Sequence, residues 1–261
     1  PEIAADADQV VLLVLDGIGW NQLLDRRHLA PTLSAMVGGP ITSVAPSTTA
    51  TALTSISTGV APGLHGIMGY RMAIGRDILN ILRWSANGRD ARKTIVPELT
   101  QTLDAFEGQR PPVITRSEFR DSGFTRAHLD KTRLLGWRVP STLVTEIAGA
   151  VNRNEPFVYA YYDGIDKTAH VHGFDEHYDA ELVACDRMVA DMMMALPRGT
   201  AIVVTADHGV VDCLGHGVAL GADVEPHIER QSGEARFRWL HAEPGHGRNL
   251  LEAATANHSE T

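Results

Sequence analysis

The stretch Gln9-Val10-Val11-Leu12-Leu13-Val14-Leu15-Asp16-Gly17 decides how this chain folds. Residues 10–15 are all apolar and rich in valine, which is the pattern of a strand buried on both faces, as in a parallel sheet. The pattern recurs in 157–164, Phe-Val-Tyr-Ala-Tyr-Tyr-Asp-Gly, and in 201–209, Ala-Ile-Val-Val-Thr-Ala-Asp-His-Gly. The sequence therefore predicts at least three buried strands, each of which ends in an aspartate.

Helical patterns fill the gaps between these strands. Amphipathic or apolar spacing predicts helices over 31–37, 49–57, 97–106, 141–151 and 175–196, and shorter strands over 41–45, 112–115 and 236–241. Buried strands that alternate with helices favour an α/β fold, an α/β/α sandwich with a largely parallel central sheet in a single domain. The less regular segment from about 68 to 139 is interpreted as a small cap or insertion beside that sheet.

Composition restricts the partners of the chain. Its 261 residues carry a formal net charge of -9, which argues against a nucleic-acid polymer as partner, since such binding needs clustered Lys and Arg. No apolar stretch approaches the ~20 residues that would span a bilayer. Cys185 and Cys213 are isolated and predict neither a disulfide scaffold nor a thiolate metal site.

Aspartate and histidine cluster at the predicted strand ends. Asp207 and His208 are adjacent, and Asp166 and His170 share one helical face at a spacing of four residues. An isolated aspartate at a strand end is often only a helix cap, and an isolated Asp/His pair is often a surface hydrogen bond. Because ligands bind at the carboxyl ends of parallel strands, the combination favours metal ligation.

A run of hydroxyl groups, Ser47-Thr48-Thr49, lies where the second predicted helix begins. Serine and threonine are good helix N-caps, which is one interpretation. A hydroxyl at a helix N-terminus is also well placed to meet a phosphoryl group, and a nearby metal would lower its pKa. The residues alone leave both interpretations open.

Five motifs, in this order, resemble those of the alkaline phosphatase superfamily, and most closely its type I phosphodiesterase/nucleotide pyrophosphatase branch. They are Leu15-Asp16-Gly17, Pro46-x-x-Thr49, Thr58-Gly59-x-x-Pro62-x-x-His65-Gly66, Asp166-x-x-x-His170-x-x-Gly173 and Asp207-His208-Gly209. The resemblance extends from about residue 10 to residue 209. It implies an alkaline-phosphatase-like fold and a hydrolase that acts on small phosphate esters.

The resemblance also implies a site with two divalent metal ions, usually zinc. Asp16, Thr49, Asp207 and His208 would hold one metal, and Asp166 and His170 would hold the other. Thr49 would be the nucleophile that attacks phosphorus in line, and the resulting phosphothreonine would then be hydrolysed by water. His65 and Gly66 would be structural and shape the wall of the pocket.

The sequence departs from the family pattern at two places. Members commonly carry an asparagine shortly after His-Gly that contacts a phosphoryl oxygen, and here Tyr70 is expected to take that place. The family also supplies a third histidine to the second metal from a distant His-Gly pair. His216-Gly217 and His246-Gly247 are closer to Asp207 than this pattern requires, so the chain is interpreted as a fragment without that ligand.

Two alternatives to a phosphodiesterase or pyrophosphatase remain. One is a phosphomonoesterase or phosphomutase of the same superfamily, which uses similar aspartate and histidine ligands. The other is a non-catalytic binding module that keeps the fold, an interpretation favoured by the missing third histidine.

Overall fold

The computed structural model describes residues 4, 6–213 and 215–259. These residues form strands β1 (Gln9–Leu15), β2 (Arg71–Ile74), β3 (Asp77–Asn80), β4 (Ser85–Ala86), β5 (Arg89–Asp90), β6 (Pro112–Arg116), β7 (Arg133–Trp137), β8 (Phe157–Tyr162), β9 (Thr200–Thr205), β10 (Ile228–Gly233) and β11 (Arg238–Ala242). The helices are α1 (Trp20–Asp25), α2 (Pro31–Ala35), α3 (Thr49–Thr58), α4 (Pro62–His65), α5 (Pro97–Thr100), α6 (Gly123–His128), α7 (Leu143–Val151), α8 (Gly164–His172), α9 (Glu176–Ala195) and α10 (Gly247–His258).

The centre of the molecule is a five-stranded sheet in the order β7-β6-β8-β1-β9. All of its pairings are parallel, and β1 pairs with β8 on one side and β9 on the other. The carboxyl ends of these three strands therefore lie side by side at one edge. This arrangement confirms the predicted α/β fold with a parallel central sheet.

Strand β1 is covered on both faces, as its apolar run predicts. Val11, Leu13 and Leu15 are fully buried in a core that includes α7 and α9, whereas Val14 is buried in a second core that includes α3 and α6. Burial of a leucine such as Leu13 contributes about 2 kcal/mol to folding, so this alternation fixes the strand in place. It also fixes the direction in which the strand end points.

The molecule contains a second sheet, separate from the central one. Its six strands run in the order β11-β10-β2-β3-β4-β5, with antiparallel pairings, so that residues 71–90 meet residues 228–242. Only the first part of the expected insertion over 68–139 lies in this sheet. The prediction was wrong for the later part, because β6 and β7 lie in the central sheet. Their segments are short and flanked by charged residues, which concealed the parallel pattern.

Most predicted elements are present, with two exceptions. Residues 41–45 form no strand; Ser43 Oγ instead donates to the backbone carbonyl of Asp207 at 2.6 Å. The helix expected over 97–106 ends at Thr100, because the buried side chain of Gln101 bonds both the N–H and the carbonyl of Leu103 and turns the chain. Among the described helices, none combines the length and apolar character needed to cross a bilayer.

Candidate active site

The ends of β1 and β9 bring Asp16, Asp207 and His208 together. Ligand atoms of these three residues all lie within 4.8 Å of one another. His208 Nε2 is 3.4 Å from Asp16 Oδ1 and 3.6 Å from Asp207 Oδ2. Four ligands about 2.0–2.1 Å from a tetrahedral zinc ion lie roughly 3.3 Å apart, so these spacings suit ligands of one metal ion.

Thr49 reaches the same point from helix α3. It is the first residue of the helix, and its Oγ1 lies 3.0 Å from His208 Nε2. The preceding Thr48 is the N-cap residue, but its side chain makes no capping hydrogen bond. The hydroxyl run at this helix start therefore faces the strand-end cluster, and does not serve as a side-chain cap.

Asp166 and His170 lie beside this cluster on helix α8. His170 Nε2 is 3.4 Å from Asp166 Oδ1, one helical turn away, as the spacing predicts. The backbone N–H of Asp166 donates to the carbonyl of Asp16 at 3.1 Å, which ties the start of α8 to the end of β1. His170 is largely exposed, so it can face an incoming ligand.

Three carboxylate oxygens in or beside this cluster are buried without a hydrogen-bond partner among the described residues: Asp16 Oδ1, Asp166 Oδ1 and Asp207 Oδ2. Buried polar atoms are normally satisfied, so such atoms call for an explanation. Asp207 shows the arrangement most clearly. Its Oδ1 accepts backbone N–H groups from Gly17 and His208 at 3.3 and 2.9 Å, which leaves Oδ2 to point into the cluster.

Electrostatics of the cluster also fit a cation. Burial raises the pKa of Asp16 well above its ordinary value, and repulsion from Asp207 and Asp166 raises it further. Burial likewise raises the pKa of Asp207. Divalent ions would satisfy the bare oxygens and hold these carboxyls ionised, so the residues present fit the metals that the family implies.

The third strand-end aspartate, Asp163, has a different role. Its Oδ1 accepts from Arg116 Nε at 2.7 Å, and its Oδ2 lies 2.6 Å from Lys167 Nζ. Both oxygens are therefore taken by cations of the protein. Arg116 also lies over the ring of Trp137, 4.7 Å from its centroid, so this aspartate anchors a structural cluster beside the site.

His65 and Gly66 form the turn at the end of α4, which contacts helix α3. His65 is buried, its Nε2 lies 2.8 Å from Ser55 Oγ, and its Nδ1 accepts the backbone N–H of Ile67. Burial lowers the pKa of His65 to about 4, so the ring is neutral. The structural role expected for this turn is consistent with these contacts.

An open cavity of 890 Å³ extends from the cluster to the second sheet. One wall carries Thr48, Thr49, Asp166, His170 and His208. The other wall carries residues that sequence reasoning missed: Arg71, Leu82, Gln231, Ser232, Gly233, Glu234, Arg236 and Arg238. No local signal marks them, because their position follows from the pairing of β10 with β2, which are far apart in the sequence.

Tyr70 lines the cavity just before β2. Its hydroxyl oxygen accepts from Asn80 Nδ2 at 2.6 Å, which leaves the hydroxyl proton free to donate. His216 and His246, in contrast, do not line this cavity. His246 Nδ1 instead lies 3.0 Å from His227 Nδ1, so the structure does not bring either His-Gly pair to Asp166 and His170.

Comparisons with known proteins identify the family. Residues 10–127 and 81–257 match the model of the family described as type I phosphodiesterase / nucleotide pyrophosphatase. The chain belongs to this family, within the alkaline phosphatase superfamily, and is a phosphoric-ester hydrolase of the phosphodiesterase/pyrophosphatase type. Divalent-metal dependence is a property of the family. A search of curated protein sequences gives no match.

Solved structures with a similar fold include murine ectonucleotide pyrophosphatase/phosphodiesterase 5, with a TM-score of 0.68 and 16% identity over 96% of this chain and 70% of that one. An inactive threonine-to-alanine variant of that enzyme in complex with AMP superposes with a TM-score of 0.67. The alkaline phosphatase from the Antarctic bacterium TAB5 gives a TM-score of 0.42 at 13% identity, over 78% of this chain and 80% of that one. The murine structures establish similarity of fold.

Proposed function

We propose that this chain is a two-metal phosphodiesterase or pyrophosphatase that uses Thr49 as its nucleophile. The observation that carries the proposal is the meeting of the Thr49 hydroxyl, the His208 ring and the bare carboxylate oxygens of Asp16 and Asp207, with the bare oxygen of Asp166 on the adjoining start of α8. The residues assigned to the first metal are Asp16, Thr49, Asp207 and His208, and those assigned to the second are Asp166 and His170. Zinc is the expected ion, since it accepts carboxylate and imidazole ligands together.

The first metal position is supported by the spacing around His208. Its Nε2 lies 3.0 Å from the Thr49 hydroxyl and 3.4 and 3.6 Å from the two aspartates, close to the edges of one coordination tetrahedron. The second position is supported by the 3.4 Å spacing of Asp166 Oδ1 and His170 Nε2. The hydrogen bond from the Asp166 N–H to the Asp16 carbonyl supports neighbouring positions for the two metals.

Thr49 Oγ would attack phosphorus, forming a threonine–phosphate ester while the bond to the leaving oxygen breaks. Bound divalent ions lower the pKa of the attacking hydroxyl and stabilise charge on the attacking and leaving oxygens. The first backbone N–H groups of α3 have no acceptor within the helix and carry partial positive charge, so they suit the phosphoryl oxygens. Water then cleaves the threonine ester and restores the hydroxyl.

The expected substrate is a small, nucleotide-like phosphate ester. A cavity of 890 Å³ accommodates a ligand of nucleotide size, and the inactive variant of the murine enzyme is described in complex with AMP. That inactive variant also replaces a threonine, which agrees with a threonine nucleophile here. Tyr70 is assigned to substrate binding, because its hydroxyl proton is free to donate to a phosphoryl oxygen.

The test combines metal analysis with turnover of chromogenic esters. The wild type should bind two zinc ions and hydrolyse bis(p-nitrophenyl) phosphate faster than p-nitrophenyl phosphate. Thr49→Ala should lose at least 1,000-fold in kcat while it retains the metal at Asp166 and His170. Thr48→Ala is the matched control, which removes a neighbouring hydroxyl and should stay within about tenfold of the wild type.

Each outcome has a definite meaning. Turnover by Thr49→Ala near the wild-type rate would refute Thr49 as nucleophile and move the attack to Thr48 or to water. A faster reaction with the monoester would instead indicate a phosphomonoesterase. A folded chain that binds no divalent ion at any concentration would overturn the two-metal proposal.

A further inference from the structure

Arg71 and Arg238 lie on either side of Gly233 in the second sheet. Gly233 of β10 is paired with Arg71 of β2 and with Arg238 of β11. Residues paired directly across antiparallel strands project from the same face. Neighbouring strands are about 4.8 Å apart, so the two arginine backbones are roughly 10 Å apart, a distance that two guanidinium side chains can bridge around one anion.

The glycine between them cannot be replaced by a larger residue. Gly233 has φ of +90°, and a Cβ there would lie 2.2 Å from the backbone oxygen of Phe237. The position therefore presents only backbone between the two arginines. All three residues line the 890 Å³ cavity, so the space between the two arginine side chains is part of the cavity at the candidate active site.

Within the described residues, the guanidinium groups on this wall have no anionic partner. Arg71 makes no side-chain hydrogen bond or ion pair within the described part of the chain, and Arg238 Nη1 donates only to the neutral Gln231 Oε1, at 3.2 Å. Arg236 lines the same wall without an ion pair, and Glu234 lies within 4.0 Å of none of these guanidinium nitrogens. Six arginines elsewhere in the described residues do have carboxylate partners: Arg26, Arg92, Arg116, Arg126, Arg133 and Arg187.

The arginines line the same cavity as the proposed nucleophile. Thr49, His208 and His170 also line it. A substrate whose phosphorus lies at Thr49 therefore extends towards the arginines with the rest of its structure. Guanidinium binds phosphate and carboxylate through two parallel hydrogen bonds, which makes it the side chain suited to a second anionic group.

We infer that Arg71 and Arg238 form a specificity subsite for a second anionic group, a phosphate or carboxylate, on the substrate of this hydrolase. The inference rests on the proposed function and adds the class of substrate. The chain is selective for phosphate esters that carry a further negative charge some distance from the scissile phosphorus. The arginines position and select the substrate, and take no part in bond cleavage.

A matched pair of chromogenic substrates tests this selectivity. The first is p-nitrophenyl phenyl phosphate, and the second carries an additional phosphate on the phenyl ring; a carboxylate analogue distinguishes which anion is preferred. The wild type should show kcat/KM at least tenfold higher for the ester with the additional anionic group. Arg71→Ala and Arg238→Ala should each reduce this preference about tenfold, with kcat/KM for p-nitrophenyl phenyl phosphate within twofold of wild type.

Arg198→Ala is the charge-matched control. Arg198 is exposed in the loop before β9, at the amino-terminal end of that strand, whereas the candidate site lies at the carboxyl ends of the strands. Its removal therefore changes the net charge without changing the cavity. The preference should persist in this variant. An equal loss in Arg198→Ala would show that only overall charge matters, and a preference that survives in Arg71→Ala and Arg238→Ala would overturn the subsite.

Failure of the proposed function is distinguishable from failure of the subsite. If the metal-loaded wild type hydrolyses neither ester, the proposed function is wrong, and calorimetric binding of phenyl phosphate and of phenylene bisphosphate still tests the subsite. The wild type should bind the bisphosphate more tightly, and Arg71→Ala should lose that advantage. Equal affinities of wild type and Arg71→Ala for the bisphosphate would overturn the inference.

Discussion

Gly17 and Asp166 approach each other so closely that a Cβ on Gly17 would lie 2.9 Å from the Cβ of Asp166. Gly17 has φ of +77°, a conformation that favours glycine. This contact sets the end of β1 directly against the first turn of α8. It thereby holds Asp16, assigned to one metal, beside Asp166, assigned to the other.

Replacement of Gly17 by alanine should therefore separate the two halves of the site. The positive φ alone costs about 1 kcal/mol, and the contact with Asp166 forces a shift of α8 in addition. Gly59→Ala is the matched control, because Gly59 has φ of +72° and a Cβ added there would meet no other atom within 4 Å. Denaturant unfolding and zinc titration should show a similar backbone penalty in both variants, but weakened metal binding only in Gly17→Ala. Unchanged zinc affinity in Gly17→Ala would contradict this role.

Two of the strand-end aspartates, Asp207 and Asp163, should respond differently to conversion to asparagine. Asp207→Asn should lose metal, because its bare Oδ2 points into the cluster. Asp163→Asn should keep the full metal content, since both of its oxygens already bind Arg116 and Lys167, but lose about 2 kcal/mol of stability. Metal analysis and chemical denaturation of the two variants check this assignment. Loss of metal from Asp163→Asn at unchanged stability would reverse it.

Tyr70→Phe should weaken catalysis without unfolding the chain. The substitution removes a hydroxyl that accepts from Asn80 and is free to donate into the cavity. We expect kcat/KM for bis(p-nitrophenyl) phosphate to fall about tenfold, as for the loss of one hydrogen bond to a charged group. Metal content should remain at the wild-type value. A variant with wild-type kcat/KM would remove Tyr70 from the substrate-binding residues.

His128 should make stability depend on pH below neutrality. It is buried, its Nδ1–H donates to the Phe124 carbonyl at 2.7 Å, and burial lowers its pKa from 6.5 to about 4. Since the folded pKa is the lower one, its contribution is present above pH 6.5 and is lost as pH falls towards 4, by roughly 3 kcal/mol in total. His128→Gln should flatten the dependence of unfolding free energy on pH in this range.

His65, with a pKa also lowered to about 4, should preserve part of the slope in the His128 variant. An identical slope in the wild type and His128→Gln would show that the ring is protonated without cost.

The central sheet was predictable because a local run of apolar residues marks each of its main strands. The runs 10–15 and 157–162 are continuous and apolar, and they form most of β1 and all of β8. The second sheet was not predictable in the same way. Its pairing of Gly233 with Arg71 joins segments separated by more than 150 residues, and strands as short as Ser85–Ala86 carry no periodicity.

The residues of the candidate site also differ in how far the sequence predicts them. Asp16, Asp207 and His208 follow strands that the sequence reveals, so their convergence follows from parallel pairing alone. Asp163 has the same local context as Asp16, and only the folded positions of Arg116 and Lys167 show that its oxygens are occupied. Sequence thus predicts which residues reach the sheet edge, whereas tertiary contacts decide which of them remain available to a ligand.

Removal of metal should give the chain a second, opposite pH dependence. Burial raises the pKa of Asp16 and Asp207 in the metal-free chain, so their contribution to stability is full below the unfolded value of about 3.8 and is lost as pH rises through the folded pKa. Bound metal keeps both carboxylates ionised and paired, which removes that penalty.

The gap in Tm between metal-loaded and chelator-treated protein should therefore widen from pH 5 to pH 8. Contributions from buried His65 and His128 are common to both forms and cancel in the difference. Thermal unfolding followed by circular dichroism, with zinc or with chelator at each pH, measures the gap. In Asp207→Asn the gap should be smaller and flatter, because one buried carboxylate and one ligand are gone. A gap that stays constant or narrows with rising pH in the wild type would show that these carboxylates are not held by metal.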